Sequence, residues 1–259
     1  MTKDCAYFDC NARYGAGLTG AGSPPARVEA LIAELNWHGI DRALVHHTLM
    51  REHSPVVGNR VLAEGIAGHD RLVGSWAILP PQTNELPLGG AFYAAMAAAN
   101  VYALWAYPDD HRYLLNRVTF GAFLDEVSER RIPLFVPRDA IEARPGGTWE
   151  VVTDLLQAYP RLTLVVTAHG PWGEDRYFRP LLDTFEGFHI GISRYELEGG
   201  LVELVERYGA SRLLYGSNYP ISPMGGPLLM LARAAISQEE RAAIAGGNLA
   251  RLLEGAELS

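Results

Sequence analysis

Residues 27–47 read RVEALIAELNWHGIDRALVHH, and the plan of the molecule can be worked out from them. Val28, Leu31, Ile32, Leu35 and Trp37 are spaced as the apolar stripe of a helix, with Arg27, Glu29 and Glu34 mainly on the other side. Gly39 stops that helix, because glycine enters the left-handed conformation that closes a helix at little steric cost. Ile40-Asp41-Arg42 then leads into a short, largely apolar run over 42–47, predicted as a strand. Helix, stop and strand form one half of a parallel crossover.

The same unit recurs outward in both directions. Strand candidates fall at 6–11, 42–47, 72–79, 101–106, 132–137, 162–168, 189–193 and 212–217, separated by segments of helical period. Helix stops recur at Tyr159-Pro160 and Tyr208-Gly209. Eight strand-helix units in 259 residues predict an α/β fold, a (β/α)8 TIM-type barrel formed by a single domain over 1–259. An open α/β sheet is the alternative. Stretches rich in Pro and Gly (15–25, 79–90, 216–227) lie at or after strand ends, where barrels carry functional loops. Near the end, Ser237 and Glu240 have the spacing of a capping box, and a last helix is expected over 248–254.

With 48% hydrophobic and 20% charged residues, the chain can bury a sizeable core. A net charge of -8 argues against a broad nucleic-acid or anionic-membrane surface, so neither partner is expected. No signal-peptide pattern and no bilayer-length apolar run occur. Cys5 and Cys10 are the only cysteines, which suggests a reducing compartment, and the cytoplasm is the expected location. No GxGxxG, P-loop or GxSxG motif is present.

Four segments together carry a resemblance: YFDCNARYG (7–15), LTLVVTAHG (162–170), RLLYGSNYP (212–220) and GGNLARLLE (246–254). In this order they resemble the amidohydrolase superfamily, in the amidohydrolase-related branch that includes aminocarboxymuconate semialdehyde decarboxylases. The resemblance implies a distorted (β/α)8 barrel with its chemistry at the carboxyl ends of the strands. It also implies a divalent metal held by an HxH pair on strand one, a histidine on strand five and an aspartate on strand eight. A further histidine on strand six would activate water or bind substrate.

This chain departs from that pattern. The HxH positions fall on Asn11 and Arg13, the strand-five position on Pro137 and the strand-eight aspartate on Asn218, while His169 keeps the strand-six position. Asparagine is a poor zinc ligand, arginine stays protonated and proline offers no donor. No metal cofactor is therefore expected. A relocated metal site drawn from His46 or His47, His169 and Asp109 or His111 is the other reading.

The candidate chemistry follows from these residues. His169 is the candidate acid–base group, since imidazole titrates near neutral pH. A histidine bonded to loop backbone is its structural alternative. Arg13 can take a carboxylate through its planar fork, or pair with Asp9 instead. The amides of Asn11 and Asn218 can orient a carbonyl or simply satisfy backbone groups. One of His46 and His47 must face inward. Trp76 and Tyr107, with Trp105, Trp172, Tyr195 and Tyr219, suggest a partly apolar cleft. Arg138, Arg176, Arg179 and Arg194 fall in the same loops.

The expected function is a metal-independent hydrolase, secondarily a decarboxylase or lyase, acting on a small anionic organic acid, lactone or amide. The alternative is a non-catalytic relative that binds a small anion or a protein. A homodimer is an expectation taken from the family.

Overall fold

The structure is a computed structural model, and it describes residues 5–17, 25–142, 146–170 and 173–259. Eight parallel strands stand in sequential order: β1 (Phe8–Tyr14), β2 (Arg42–His47), β3 (Leu72–Ala77), β4 (Val101–Trp105), β5 (Leu134–Pro137), β6 (Leu164–Thr167), β7 (Phe188–Gly191) and β8 (Leu213–Leu214). Helices lie between them, so the chain is a single-domain TIM barrel. The apolar strand residues fill its interior and the seam beneath the helices.

The helix Val28–His38 ends as expected: Gly39 sits at φ 69°, its N–H bonded to the carbonyls of Asn36 and Leu35. Val28, Leu31 and Leu35 are buried, but Trp37 is 85% exposed. Nine residues at about 100° each place Trp37 half a turn round the helix from Val28, so it does not belong to the stripe. The capping box at Ser237 and Glu240 is formed. A single π-helical turn, Ala243–Gly247, joins that helix to the last one, Asn248–Glu254.

Strand eight is shorter than its apolar run predicts, and the reason is where its donors go. The Tyr215 N–H turns to Ile244 O at 2.9 Å and the Ser217 N–H to the Asp9 carboxylate, also at 2.9 Å. Closure is carried by single bonds to β1: Cys10 N–H to Tyr215 O at 2.9 Å and Arg13 N–H to Tyr219 O at 3.0 Å. Strand one is in turn longer than predicted and carries a bulge. Asp9 pairs with Ala43 and Ala12 with Val45, so one extra residue sits on β1 between these pairs. The bulge frees the Asn11 N–H, which donates to Asp9 Oδ1 at 2.9 Å. A buried carboxylate thus takes two backbone donors, one from each side of the barrel's closing seam.

Two short helices were not expected from the sequence, Leu49–Glu52 and Pro108–His111. Both follow strand ends; Arg51 of the first lines the cavity described next, and Asp110 of the second accepts a hydrogen bond from Arg51. No helix among the described residues is long and apolar enough to cross a membrane.

Candidate active site

A cavity of about 450 Å³ opens at the carboxyl ends of the strands. Asn11 and Arg13 reach it from β1, His46 from β2, Trp105 and Tyr107 from β4 and the segment after it, and Pro137 from β5. Thr167 from β6, Ala168 just after it and Asn218 from the loop after β8 complete the wall, with Arg51, Arg138, Asp139, Glu174 and Arg194 around it. Three of the four positions where the resemblance implies metal ligands are brought together on β1 and the strand-eight loop, and the fourth, Pro137, lines the same space.

Asn11 donates from Nδ2 to Asn218 Oδ1 at 3.2 Å, so the two amides form one unit across the seam. Asn218 is held at φ 55°, in the left-handed region that asparagine tolerates better than most residues. That bond leaves the Asn11 side-chain oxygen as acceptor and the Asn218 NH2 as donor for a ligand.

The arginines divide into committed and uncommitted groups. Arg51 bonds Asp110 at 2.8 Å and Asp139 at 3.1 Å, and Arg138 pairs with Glu174, whose second oxygen accepts the Gly170 N–H at 3.1 Å. Arg13 makes no side-chain hydrogen bond among the described residues. Its nearest acid is Glu52, at 3.7 Å, and not Asp9. Its side chain is 11% exposed, and burial presses the guanidinium below its ordinary pKa. Arg194 is exposed and has no ion pair among the described residues. Of the other two, Arg179 is spent on Asp175 and Glu203, and Arg176 lies within the helix Asp175–Thr184.

The inward histidine of β2 is His46. It pairs in register with Arg13 and packs against Trp105 with ring centroids 4.8 Å apart. Burial first, then the charges of Arg13 and Arg51, hold its pKa well below the ordinary value. His47 instead packs edge-on to Tyr14 and accepts the Leu49 N–H at 3.2 Å. Tyr107 lies parallel to Trp105 at 5.8 Å, and its hydroxyl is enclosed with no partner among the described residues.

Three of the predicted site residues are not brought to the cavity: His47, His169 and Trp76. His169 follows Ala168, which takes φ 58°, and its ring is wholly buried among Trp149, Phe178 and Tyr195. Among the described residues neither of its nitrogens meets a partner in good hydrogen-bond geometry, and burial lowers its pKa to about 4 against the opposing pull of Glu174, Asp175 and the nearby Gly191 and Gly170 backbone. Trp76 faces outward from β3 and packs against Phe92. Trp172 lies outside the described residues. Arg51, Thr167 and Glu174 escaped the sequence reading. Arg51 stands four residues after His47, beyond a strand end, which is the one signal that marks it.

His169 makes a pH prediction. Its folded pKa, about 4, is below the ordinary 6.5, so its contribution to stability is present above 6.5 and lost as pH falls toward 4. Chemical unfolding of wild type and His169→Phe should show their stability difference changing by about 3 kcal/mol between neutral pH and pH 4. A constant difference would mean that the ring is not sequestered.

Among the described residues no three His, Cys, Asp or Glu side chains come together to hold a metal. The relocated set does not assemble either: His111 is bonded to Met50 O at 2.7 Å and His169 is enclosed by aromatic rings.

The sequence profile of the amidohydrolase family matches residues 59–255, about three quarters of the chain. The chain belongs to the amidohydrolase family. The matched span includes Pro137, His169 and Asn218 but begins after β1 and β2, where Asn11, Arg13 and His46 stand. A search of the curated proteins finds no match.

Solved amidohydrolases share the barrel. The 5-carboxyvanillate decarboxylase of Sphingomonas paucimobilis aligns with TM-score 0.68 at 17% identity, over 96% of this chain and 99% of that one. A protein of Pseudomonas putida described as a 2-pyrone-4,6-dicarboxylic acid hydrolase aligns with TM-score 0.66 at 17% identity, over 96% and 98%. A dihydroxybenzoic acid decarboxylase of Polaromonas, solved with manganese and 2-nitroresorcinol, aligns with TM-score 0.72 at 14% identity, over 96% and 97%.

Proposed function

We propose that this amidohydrolase is a metal-independent hydrolase of a small anionic organic acid, lactone or amide. The observation that carries the proposal is the guanidinium of Arg13 inside the cavity, which makes no side-chain hydrogen bond among the described residues and has its nearest acid, Glu52, at 3.7 Å. A divalent ion placed there would meet a fixed positive charge, two neutral amides and a proline, which is not a donor set that holds one. A carboxylate would meet the reverse: a cation lacking hydrogen bonds, with amide groups of Asn11 and Asn218 beside it.

In this reading Arg13 holds the anionic group and the Asn11–Asn218 pair orients the reacting carbonyl. The aromatic faces of Trp105 and Tyr107 exclude water from one side. The 2-pyrone-4,6-dicarboxylic acid named for the Pseudomonas protein combines a lactone with carboxylates, which supports looking for a substrate of that kind. Decarboxylation, the reaction named for the Sphingomonas and Polaromonas proteins, is the secondary proposal. Seclusion of His169 favours a second reading, in which the cavity binds its anion without turnover.

The test is turnover of lactone, ester and aromatic-carboxylate panels by protein purified without metal-affinity steps and dialysed against chelator. Turnover that survives chelation, with metal well below stoichiometric, supports the proposal. Stoichiometric zinc or manganese required for activity overturns it. Tight anion binding with no turnover on any panel favours the non-catalytic reading.

A further inference from the structure

Eight histidines occur in the chain, and among the residues lining the cavity the one histidine is His46. The parallel register sets it directly opposite Arg13, so an imidazole and a guanidinium leave neighbouring strands at one level. Neither ring nitrogen makes a hydrogen bond among the described residues, and Nδ1 is enclosed without a partner. An unpartnered imidazole beside a guanidinium that makes no side-chain hydrogen bond among the described residues, and whose ion pair with Glu52 is long at 3.7 Å, is costly to keep unless something else completes the pair.

The groups facing His46 decide what that is. Arg13 acts on it from β1, Arg51 from the helix Leu49–Glu52, and His47 from its own strand. From β4 and the segment after it come the indole of Trp105 and the phenol of Tyr107, whose pKa burial raises, so both are neutral. No carboxylate is among the charges acting on His46. A proton on the imidazole of the free protein would therefore sit beside two guanidinium groups, while the acids nearby, Asp110 and Asp139 on Arg51 and Glu52 at 3.7 Å from Arg13, face those guanidinium groups instead. A carboxylate on Arg13 supplies the missing negative charge within the same wall.

We infer that His46 is the proton-carrying residue of this cavity, neutral in the free protein and taking up one proton from solvent as an anionic group settles on Arg13. This rests on the reading of Arg13 as the anion site. Ligand and acid then arrive together. In hydrolysis the imidazolium gives its proton to the leaving oxygen or nitrogen as the carbonyl–heteroatom bond breaks, and returns to neutral imidazole. The attacking water bonds to the carbonyl carbon and gives one proton to the imidazole, replacing the one that His46 spent, while its other hydrogen stays on the new carboxylic acid. Release of the product from Arg13 removes the negative charge and resets the imidazole.

The experiment is a pH titration of histidine Cε1 resonances by NMR in the whole protein, with benzoate as the probe anion. His46→Gln or His46→Asn assigns the signal, and Arg13→Gln removes the neighbouring cation. The free protein should show His46 titrating well below the ordinary imidazole range, and saturating benzoate should raise its midpoint by about one unit or more. Benzoate affinity should then rise up to about tenfold for each unit that pH falls through the bound midpoint. In Arg13→Gln the free midpoint should rise with no anion present, and benzoate should no longer move it. Benzoate that binds through Arg13 without shifting His46 overturns the inference and leaves the anion site standing. Failure of benzoate, sulfate and citrate to bind the wild type overturns the anion site and the inference with it.

Discussion

Arg13→Met is expected to lose anion affinity by about a thousandfold while leaving the protein at least as stable as the wild type. The loss follows from the geometry a carboxylate would adopt on a planar fork. Two charge-assisted hydrogen bonds of about 2 kcal/mol each amount to about 4 kcal/mol, or roughly three decades in Kd. Stability moves the other way because the guanidinium is half-compensated at best. It makes no side-chain hydrogen bond among the described residues, lies 3.7 Å from Glu52 and is pressed by burial toward losing its charge. A methionine of similar length keeps the packing and removes the buried charge. Calorimetric titration with benzoate and urea unfolding of the same samples check both halves. A variant that binds normally would sink the anion site. One that loses several kcal/mol of stability would make Arg13 a structural residue. Arg194→Met is the control: its exposed head should cost no more than about tenfold.

The barrel was legible because its evidence is distributed over the whole chain. Strand 42–47 and the glycine stop before it are found where the apolar period and Gly39 put them. What could not be read was where local hydrogen bonding departs from the ladder. Nothing in LLYGS announces that Tyr215 and Ser217 donate to Ile244 and Asp9 rather than continue β8.

At the site the same division holds. Asn11, Arg13, Pro137 and Asn218 meet because each stands at a strand's carboxyl end, and that rule needs only chain position. Trp76 obeys the rule too, yet faces the helices. Every residue of β3 is buried, so the apolar pattern carries no parity to say which side chains point inward. The structure supplies the parity: Ser75 accepts the indole N–H of Trp105 at 2.8 Å, which leaves Trp76 outside. His169 is lost to the cavity in the same kind of step. The backbone turns at Ala168, and three aromatic side chains, Trp149 from the helix before β6 and Phe178 and Tyr195 from after it, take the ring. Partners so distant in sequence leave no local trace.

Asp9→Ala should cost about 4 kcal/mol of stability, and Asp9→Asn far less. Asp9 is fully buried and Oδ1 accepts two N–H groups, from Asn11 at the β1 bulge and from Ser217 beyond β8. Alanine leaves both donors buried without an acceptor, at about 1–3 kcal/mol each. Asparagine keeps the oxygen, and the comparison therefore separates the acceptor from the charge. The charge itself is a liability. Burial raises the Asp9 pKa despite the hydrogen bonds from Ser217 and Asn11, and Oδ2 has no partner. A carboxyl whose folded pKa exceeds its unfolded value favours the fold most at low pH. That contribution is lost as pH rises through the folded pKa. Wild type should accordingly lose stability relative to Asp9→Asn as pH increases from about 4, then level off once the carboxyl is ionised in both states. Urea unfolding of the pair at several pH values reads this directly, and a difference that grows in favour of wild type would refute it. The two donors also belong to Asn11 itself and to the residue before Asn218. Releasing them loosens the 3.2 Å amide contact on which carbonyl orientation depends. Where Asp9→Ala still folds, it should therefore lower kcat more than it weakens benzoate binding, because Arg13 is held separately by its N–H to Tyr219 O at 3.0 Å.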